Sequence, residues 1–224
     1  MNTTILYKLT DKNYRTDNDT QWGEGIKRRA FGKGPIYGSG WIHAYTHPLL
    51  AVLLNPGHAD IKNPIVWEAH GVVGIEDYGL RVGCRRLKTI KIISMPEVTT
   101  EQRVRFGILC TLEVCTEPSF VSWAHKWLSG EDRSEKAAEA AVNAATEAAE
   151  WAARAARDAA KEAAFAVNAA AALAAAYAAV WAARAARAAA DAAYWAAWWA
   201  ARSGKNIDLI ALAIQATLPQ VTGV

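Results

Sequence analysis

The chemistry-bearing residues of this chain are cations and aromatics in its N-terminal part. Trp41, His43, Tyr45 and His47 alternate in Gly40-Trp-Ile-His-Ala-Tyr-Thr-His47, which on a strand puts all four on one face. A wall of aromatic and imidazole rings of this kind would stack a nucleobase or nicotinamide, with Lys8 and Arg85 or Arg86 meeting the phosphate. The competing reading makes Trp41 and Tyr45 core on one sheet face and leaves the histidines partly exposed. Trp22 lies in a Gly-rich stretch with no regular element to pack in, beside Lys27, Arg28 and Arg29. That grouping suits a lid over an anionic ligand. The candidate ligand-binding set is therefore Lys8, Trp22, Lys27, Arg28, Trp41, His43, Tyr45, Arg85 and Arg86.

Other chemistries find less support. His43 and His47 would share a face, yet no nearby carboxylate or cysteine completes a ligand set, so neither metal nor cofactor is expected. No GxSxG, P-loop, GxGxxG or HExxH pattern occurs, and no residue is assigned a catalytic role. Cys84, Cys110 and Cys115 are odd in number and lack CxxC spacing, which predicts buried free thiols in a reducing compartment. The opening Met-Asn-Thr-Thr-Ile-Leu-Tyr-Lys lacks the basic region and apolar run of a secretory leader, predicting a cytoplasmic location.

Composition divides the 224 residues sharply. Residues 135–202 hold 39 alanines in 68 positions and neither glycine nor proline, a strongly helix-forming stretch. Residues 1–130 carry 16 Lys+Arg against 12 Asp+Glu, and the remainder 9 against 10, so the net charges are +4 and −1. A sequence pI near 8.7 falls short of a dedicated DNA-binding domain and disfavours nucleic acid as the partner. The 21 uncharged residues between Glu162 and Arg184 match a membrane span in length, but alanine is too weakly apolar to favour one.

Elements able to position the candidate residues follow from the patterning. Ile5–Thr10 alternates as a first strand, and a polar Gly-rich loop runs from Asp11 to Gly40. A second strand covers 40–47, and Pro48 opens a helix over 49–54 that Asn55-Pro56-Gly57 closes. Strands follow at 65–73 and 80–95. Thr99-x-x-Gln102 predicts a capping box on a helix through Cys115, and 118–128 forms another helix. The expected fold is an α+β head (1–130, mainly antiparallel sheet plus helices), an alanine-rich helical rod (131–203), and a short C-terminal helix (204–224).

The rod is predicted to start at Ser129 as N-cap and to end at Gly204. Alanine pairs settle into an eleven-residue period through Ala141, Ala152, Ala163, Ala174 and Ala185, close to the natural helix twist. A seam of small side chains admits close helix approach, which points to a homo-oligomeric coiled coil or bundle. Acids gather early (Glu135, Glu139, Glu147, Glu150) and arginines late (Arg184, Arg187, Arg202), as the helix dipole favours; antiparallel pairing would sort them the same way. Tyr194-Trp195-x-x-Trp198-Trp199 would be bundle core or a seat for the segment Ile207–Ile214.

The Tyr-Lys-Leu-Thr-Asp opening, the Gly-Ser-Gly-Trp-Ile-His-Ala-Tyr run with Pro-Leu-Leu-Ala-Val-Leu-Leu-Asn-Pro, and Thr-Thr-Glu-Gln-Arg-Val-Arg-Phe resemble a group of uncharacterised phage and prophage proteins. In that group such a head precedes an alanine-rich tail. The order of short strand, variable loop, Gly-x-x-His strand and short helix is more distantly similar to ADP-ribosyltransferase-like, NAD-binding folds. Those enzymes carry a His or Arg on the first strand and a catalytic Glu. Here Tyr7, Lys8 and Thr10 occupy that strand, and Glu68 and Glu76 lie outside a recognisable motif. The resemblance implies a phage accessory protein of the host cytoplasm; with the basic and aromatic loop and the incomplete catalytic set, the expected function is to sequester a small anionic nucleotide-like signal without catalysis, blunting antiviral defence. The alternatives are an NAD-using enzyme of that fold and an oligomeric adaptor that docks a host protein.

Overall fold

The computed structural model describes residues 3–17, 19–134, 136–138, 140 and 186–219. The chain divides into two units, Met1–Glu97 and Val98–Val224. The two helices expected to close the head therefore belong with the C-terminal helices. Most of the alanine-rich rod, including the acids at 135, 139, 147 and 150 and the eleven-residue alanine series, lies outside the described residues. Among the described residues, no helix is long and apolar enough to cross a membrane.

The N-terminal unit is an antiparallel sheet with one helix. Strand β1 (Thr4–Thr10) pairs with β6 (Ile65–Glu76), and β6 pairs with β7 (Val82–Ile93). Two short strands share the free edge of β7: β4 (Lys27–Arg29) pairs with residues 86–88, and β5 (Ile42–Ala44) with residues 82–84. The residue after β5 closes the sheet on itself. Tyr45 and Tyr7 exchange both backbone hydrogen bonds, at 2.8 and 2.9 Å. The ring β1–β6–β7–β5 encloses Leu6, Ala44, Ala69, Cys84 and Leu87, all fully buried.

Local sequence explains the turns. Between β6 and β7, Tyr78 and Gly79 both take positive φ (49° and 80°), and Leu80 N–H donates to Asp77 O at 2.8 Å. This is a two-residue hairpin of the kind that matches strand twist. Helix α1 (Pro48–His58) has Pro48 in its first turn and His47 as N-cap, whose Nδ1 accepts from Leu49 N–H at 3.3 Å. It continues through Pro56 instead of stopping at Asn55. Asn55 is buried and holds the exit, accepting from Ile61 N–H at 3.1 Å and donating to Ile61 O at 3.0 Å.

The loop expected over 11–40 is largely structured. It contains the small hairpin β2 (Arg15–Thr16) with β3 (Thr20–Gln21), and then β4 in the main sheet. The second strand is shorter than its alternating pattern suggested, because only residues 42–44 find an edge of β7 to pair with.

In the C-terminal unit, α2 (Thr100–Leu112) begins with the expected capping box. Gln102 N–H donates to Thr99 Oγ1 at 3.2 Å, and Thr99 N–H donates to Gln102 Oε1 at 2.9 Å. Helix α3 (Pro118–Ser129) ends where the rod was expected to begin. Gly130 takes φ 83° and its N–H caps Lys126 and Trp127, so Ser129 closes a helix and does not open one. The capping role falls to Ser134, whose Oγ accepts from Ala137 N–H at 3.3 Å. Val104, Ile108, Phe120, Trp123, Trp127, Ala138 and Ala189 form one core.

The described end of the alanine tract is α4 (Ala186–Ala201), followed by α5 (Leu209–Thr217) with Asp208 as N-cap. Both pack on α2. A side chain at Gly107 of α2 would come within 3.4 Å of Ala193 Cα, so small residues on both helices permit the close approach. Here the alanine seam is used within one chain. The last segment seats on α2, with Gln102 Nε2 donating to Thr217 O at 3.0 Å. The tryptophans form their own edge-to-face series, with Arg202 stacked 4.0 Å over Trp198. Cys84, Cys110 and Cys115 are buried free thiols, as expected.

One backbone approach is tight enough to test. A Cβ at Gly40 would lie 2.0 Å from Lys33 O, and Gly32 N–H donates to Gly40 O at 2.8 Å. Gly40→Ala should therefore displace the 32–40 segment and cost about 1–3 kcal/mol, as overpacking does. The check is a lower urea midpoint at unchanged slope.

Candidate functional site

Alternation on β1 decides the site. Leu6 and Thr10 face the interior and are fully buried, so Lys8 between them faces inward too. An ammonium group is thereby placed inside a sheet ring. Lys8 Nζ donates to His43 O at 2.9 Å and sits 5.4 Å from the centre of the Trp22 ring. Burial pushes its pKa down to about 8, against the opposing attraction of Asp17. Cys84, deeper in the ring, is pushed up to about 12 by burial, so it is no thiolate nucleophile at neutral pH.

Lys8, Thr16, Asp17 and His43 line two adjoining cavities of about 710 and 480 Å³. The larger is mixed in charge: Lys8, Lys12, Arg15, Lys62 and Arg81 face Asp11, Asp17, Asp19 and Asp60. The smaller sets Lys8, Arg28 and Arg29 against Asp17 alone, with Trp22, Phe31, Tyr37 and Trp41 as aromatic lining. Phe31 is 93% exposed and Tyr37 55%, so two rings are open at its rim. Tyr37 stacks on the buried Arg81 guanidinium at 4.6 Å, and its hydroxyl donates to Asp77 Oδ1 at 3.3 Å. Arg81 in turn pairs with Asp77 at 3.5 Å.

Of the nine candidates read from sequence, six line a cavity. Lys8 and His43 line both, Trp22, Arg28 and Trp41 the smaller, and Tyr45 the larger. Their roles differ from expectation. Trp22 is no lid. It is 2% exposed, packs against Leu6 and Ala44, and donates from Nε1 to Thr16 Oγ1 at 3.0 Å. The enclosed sheet needs a large ring to fill it, and Trp22 is the cavity floor.

Trp41 and Tyr45 are buried, which follows the core reading of that face. The segment before β5 covers the wall: Trp41 Nε1 donates to Gly34 O at 2.9 Å, and His43 Nε2 bonds Ile36 O. Burial lowers the His43 pKa and the Arg81 and Lys8 cations push the same way, while the Ile36 carbonyl opposes them. The imidazole is therefore neutral at pH 7. His47 is used as a helix cap.

Lys27, Arg85 and Arg86 line neither cavity. Lys27 and Arg86 are set on β4 and β7, with Lys27 opposite Lys88 and Arg86 opposite Arg29. Arg85 runs along Gly32 and Gly74. Glu68 and Glu76, the acids weighed for catalysis, also lie outside both cavities, and Glu68 pairs with Lys91 at 3.5 Å. Arg81, Tyr37 and Phe31 were missed. The Asp77-Tyr-Gly79 turn signal between two strand runs would have placed Arg81 at a hairpin start. Nothing local marks Tyr37 or Phe31. Among the described residues no cluster of three or more His, Cys, Asp or Glu could hold a metal ion.

No family model, curated protein or solved structure matches the chain.

A lysine whose folded pKa lies near 8 and whose ordinary value is 10.5 binds fewer protons folded than unfolded between those values. Folding is disfavoured by this group at neutral pH, and the penalty fades as pH rises from about 8 toward 10.5. Lys8→Met should accordingly raise the melting temperature relative to wild type more at pH 7 than at pH 10. Thermal unfolding at the two pH values measures the difference.

Proposed function

We propose that the N-terminal unit binds a small anionic, nucleotide-like ligand and sequesters it without catalysis. The observation that carries this reading is the smaller cavity, where Lys8, Arg28 and Arg29 converge beside the exposed rings of Tyr37 and Phe31. Cations that can meet phosphate and a ring that can stack a base are the two halves of nucleotide recognition. A volume of about 480 Å³ is of the size that small-molecule sites occupy. Tyr37 is held by Asp77 and Arg81 before any ligand arrives, which lowers the ordering cost of binding.

In this reading the protein is a phage-type accessory factor of the host cytoplasm, and the captured signal belongs to an antiviral defence. The likeness of its sequence motifs to phage and prophage proteins supports that setting. The alanine period over 141–185 supports an oligomeric rod that multiplies the number of binding heads. The ADP-ribosyltransferase-like alternative gains nothing from Glu68 and Glu76, which lie away from both cavities.

The test is thermal unfolding of the full chain with NAD, ADP-ribose, cyclic ADP-ribose isomers and cyclic di- and trinucleotides. A bound ligand at about 100 times its Kd should add about 2.7 kcal/mol, and it should be recovered unaltered. Lys8→Met and Tyr37→Ala should each weaken binding at least tenfold. Recovery of nicotinamide or a cleaved product would establish the enzyme instead, and no shift with any of them would favour the protein-docking adaptor.

A further inference from the structure

Three cations that line no cavity, Lys27, Arg86 and Lys88, form a pattern with Arg29, which reaches the rim of the smaller one. On the outer face of the sheet, Lys27 of β4 lies directly opposite Lys88 of β7, and Arg29 directly opposite Arg86. Strand β6 extends the first row with His70, the Cα partner of Lys88, and the second with Val72, the partner of Arg86. Lys27, Arg29, Lys88 and His70 are exposed, and Arg86 is half-buried. Like charges directly opposite one another on a sheet destabilise it. Two such pairs stand in consecutive rows, and among the described residues no carboxylate pairs with any of the four cations. Glu68, an acid of β6 two residues before His70, is engaged by Lys91 at 3.5 Å.

We infer that this outer face of β6, β7 and β4 binds the sugar-phosphate backbone of a nucleic acid. Its cations stand close together without acidic partners, and an external polyanion would relieve their repulsion. Two residues along a strand advance about 6.8 Å, so the rows present paired positive charge at a spacing comparable to that of successive phosphates in an extended polynucleotide. Arg29 and Arg86 add planar donor forks suited to phosphate oxygens. The face carries four cations in two rows, groups that meet phosphate and not base edges, so it positions a strand without reading its sequence. The modest net charge of the whole chain hides this site, because averaging cancels a local segregation of sign. The inference does not rest on the cavity reading: Lys27, Arg86 and Lys88 line neither cavity.

The test uses the full chain and a fluorescein-labelled single-stranded 20-mer of mixed sequence, read by anisotropy across a salt series. Two neutralised phosphates, one per row, predict a slope of log K against log salt of about −1.4, at about −0.7 each. Lys27→Gln with Lys88→Gln should halve that slope, weaken binding at least tenfold at low salt, and leave nucleotide binding at the cavity unchanged. Arg29 is spared because it also lines the smaller cavity. The double variant should melt no lower than wild type, since it removes a like-charge pair. Absence of oligonucleotide binding at about 50 mM salt would overturn the inference, as would an unchanged slope in the double variant. Binding of poly-glutamate or of phosphatidylserine vesicles without binding of the oligonucleotide would overturn it as well.

Discussion

The backbone exchange between Tyr7 and Tyr45 is the constraint on which the N-terminal unit depends. This five-strand antiparallel sheet, left open, would present β1 as an edge with unpaired donors and acceptors. Closing it at Tyr45, next to β5, pairs the middle of that edge and creates an interior filled by Leu6, Trp22, Ala44, Ala69, Val82, Cys84 and Leu87. Because strand side chains alternate, closure also commits Lys8 to the inside. A half-buried ammonium loses hydration and needs a hydrogen bond in its place, and the His43 carbonyl supplies it. The depressed lysine, the covered imidazole and the cavities beside them are consequences of one closure.

Closure also sorts the cations. Arg81 enters at the hairpin and is buried against Asp77. Lys8 goes inward, while Lys27, Arg29, Arg86 and Lys88 go outward. A bulge performs part of this sorting: Val72 pairs with Arg86 and Val73 with Cys84, leaving Arg85 as the extra residue. Such an insertion re-aims the side chains around it, and it lets Cys84 and Leu87 both face the core although they are three apart. A single run of basic residues is thus divided among a site wall, an outer face and a packing role against glycines.

The C-terminal unit obeys a different economy of space. Alanine supplies helix propensity but little apolar area, so helices built from it need close neighbours. Gly107 on α2 and Ala193 on α4 provide that closeness, and larger side chains from α2 and α3 supply the apolar mass. The same stripe that reads as an interface between chains serves, over the described part of α4, as an interface within one. Caps then set the boundaries: Thr99 and Gln102 open α2, Gly130 ends α3, and Asp208 opens α5.

Much of this was legible from residue order. The α+β character, the first strand, Pro48 at a helix start, the Thr99 capping box and the buried free thiols all rest on short-range signals: side-chain alternation, proline geometry, local hydrogen bonds and burial preference. Local signals also misled at Asn55-Pro56-Gly57 and at Ser129, where a nearby partner, Ile61 or the Gly130 cap, outweighed propensity. By itself the sequence determined which elements form and which residues carry charge or rings. Only the tertiary structure decided where those groups point. The sharing of the β7 edge, the bulge at Arg85 and the Tyr7–Tyr45 closure join residues tens of positions apart, and a one-residue change of register moves a side chain to the opposite face.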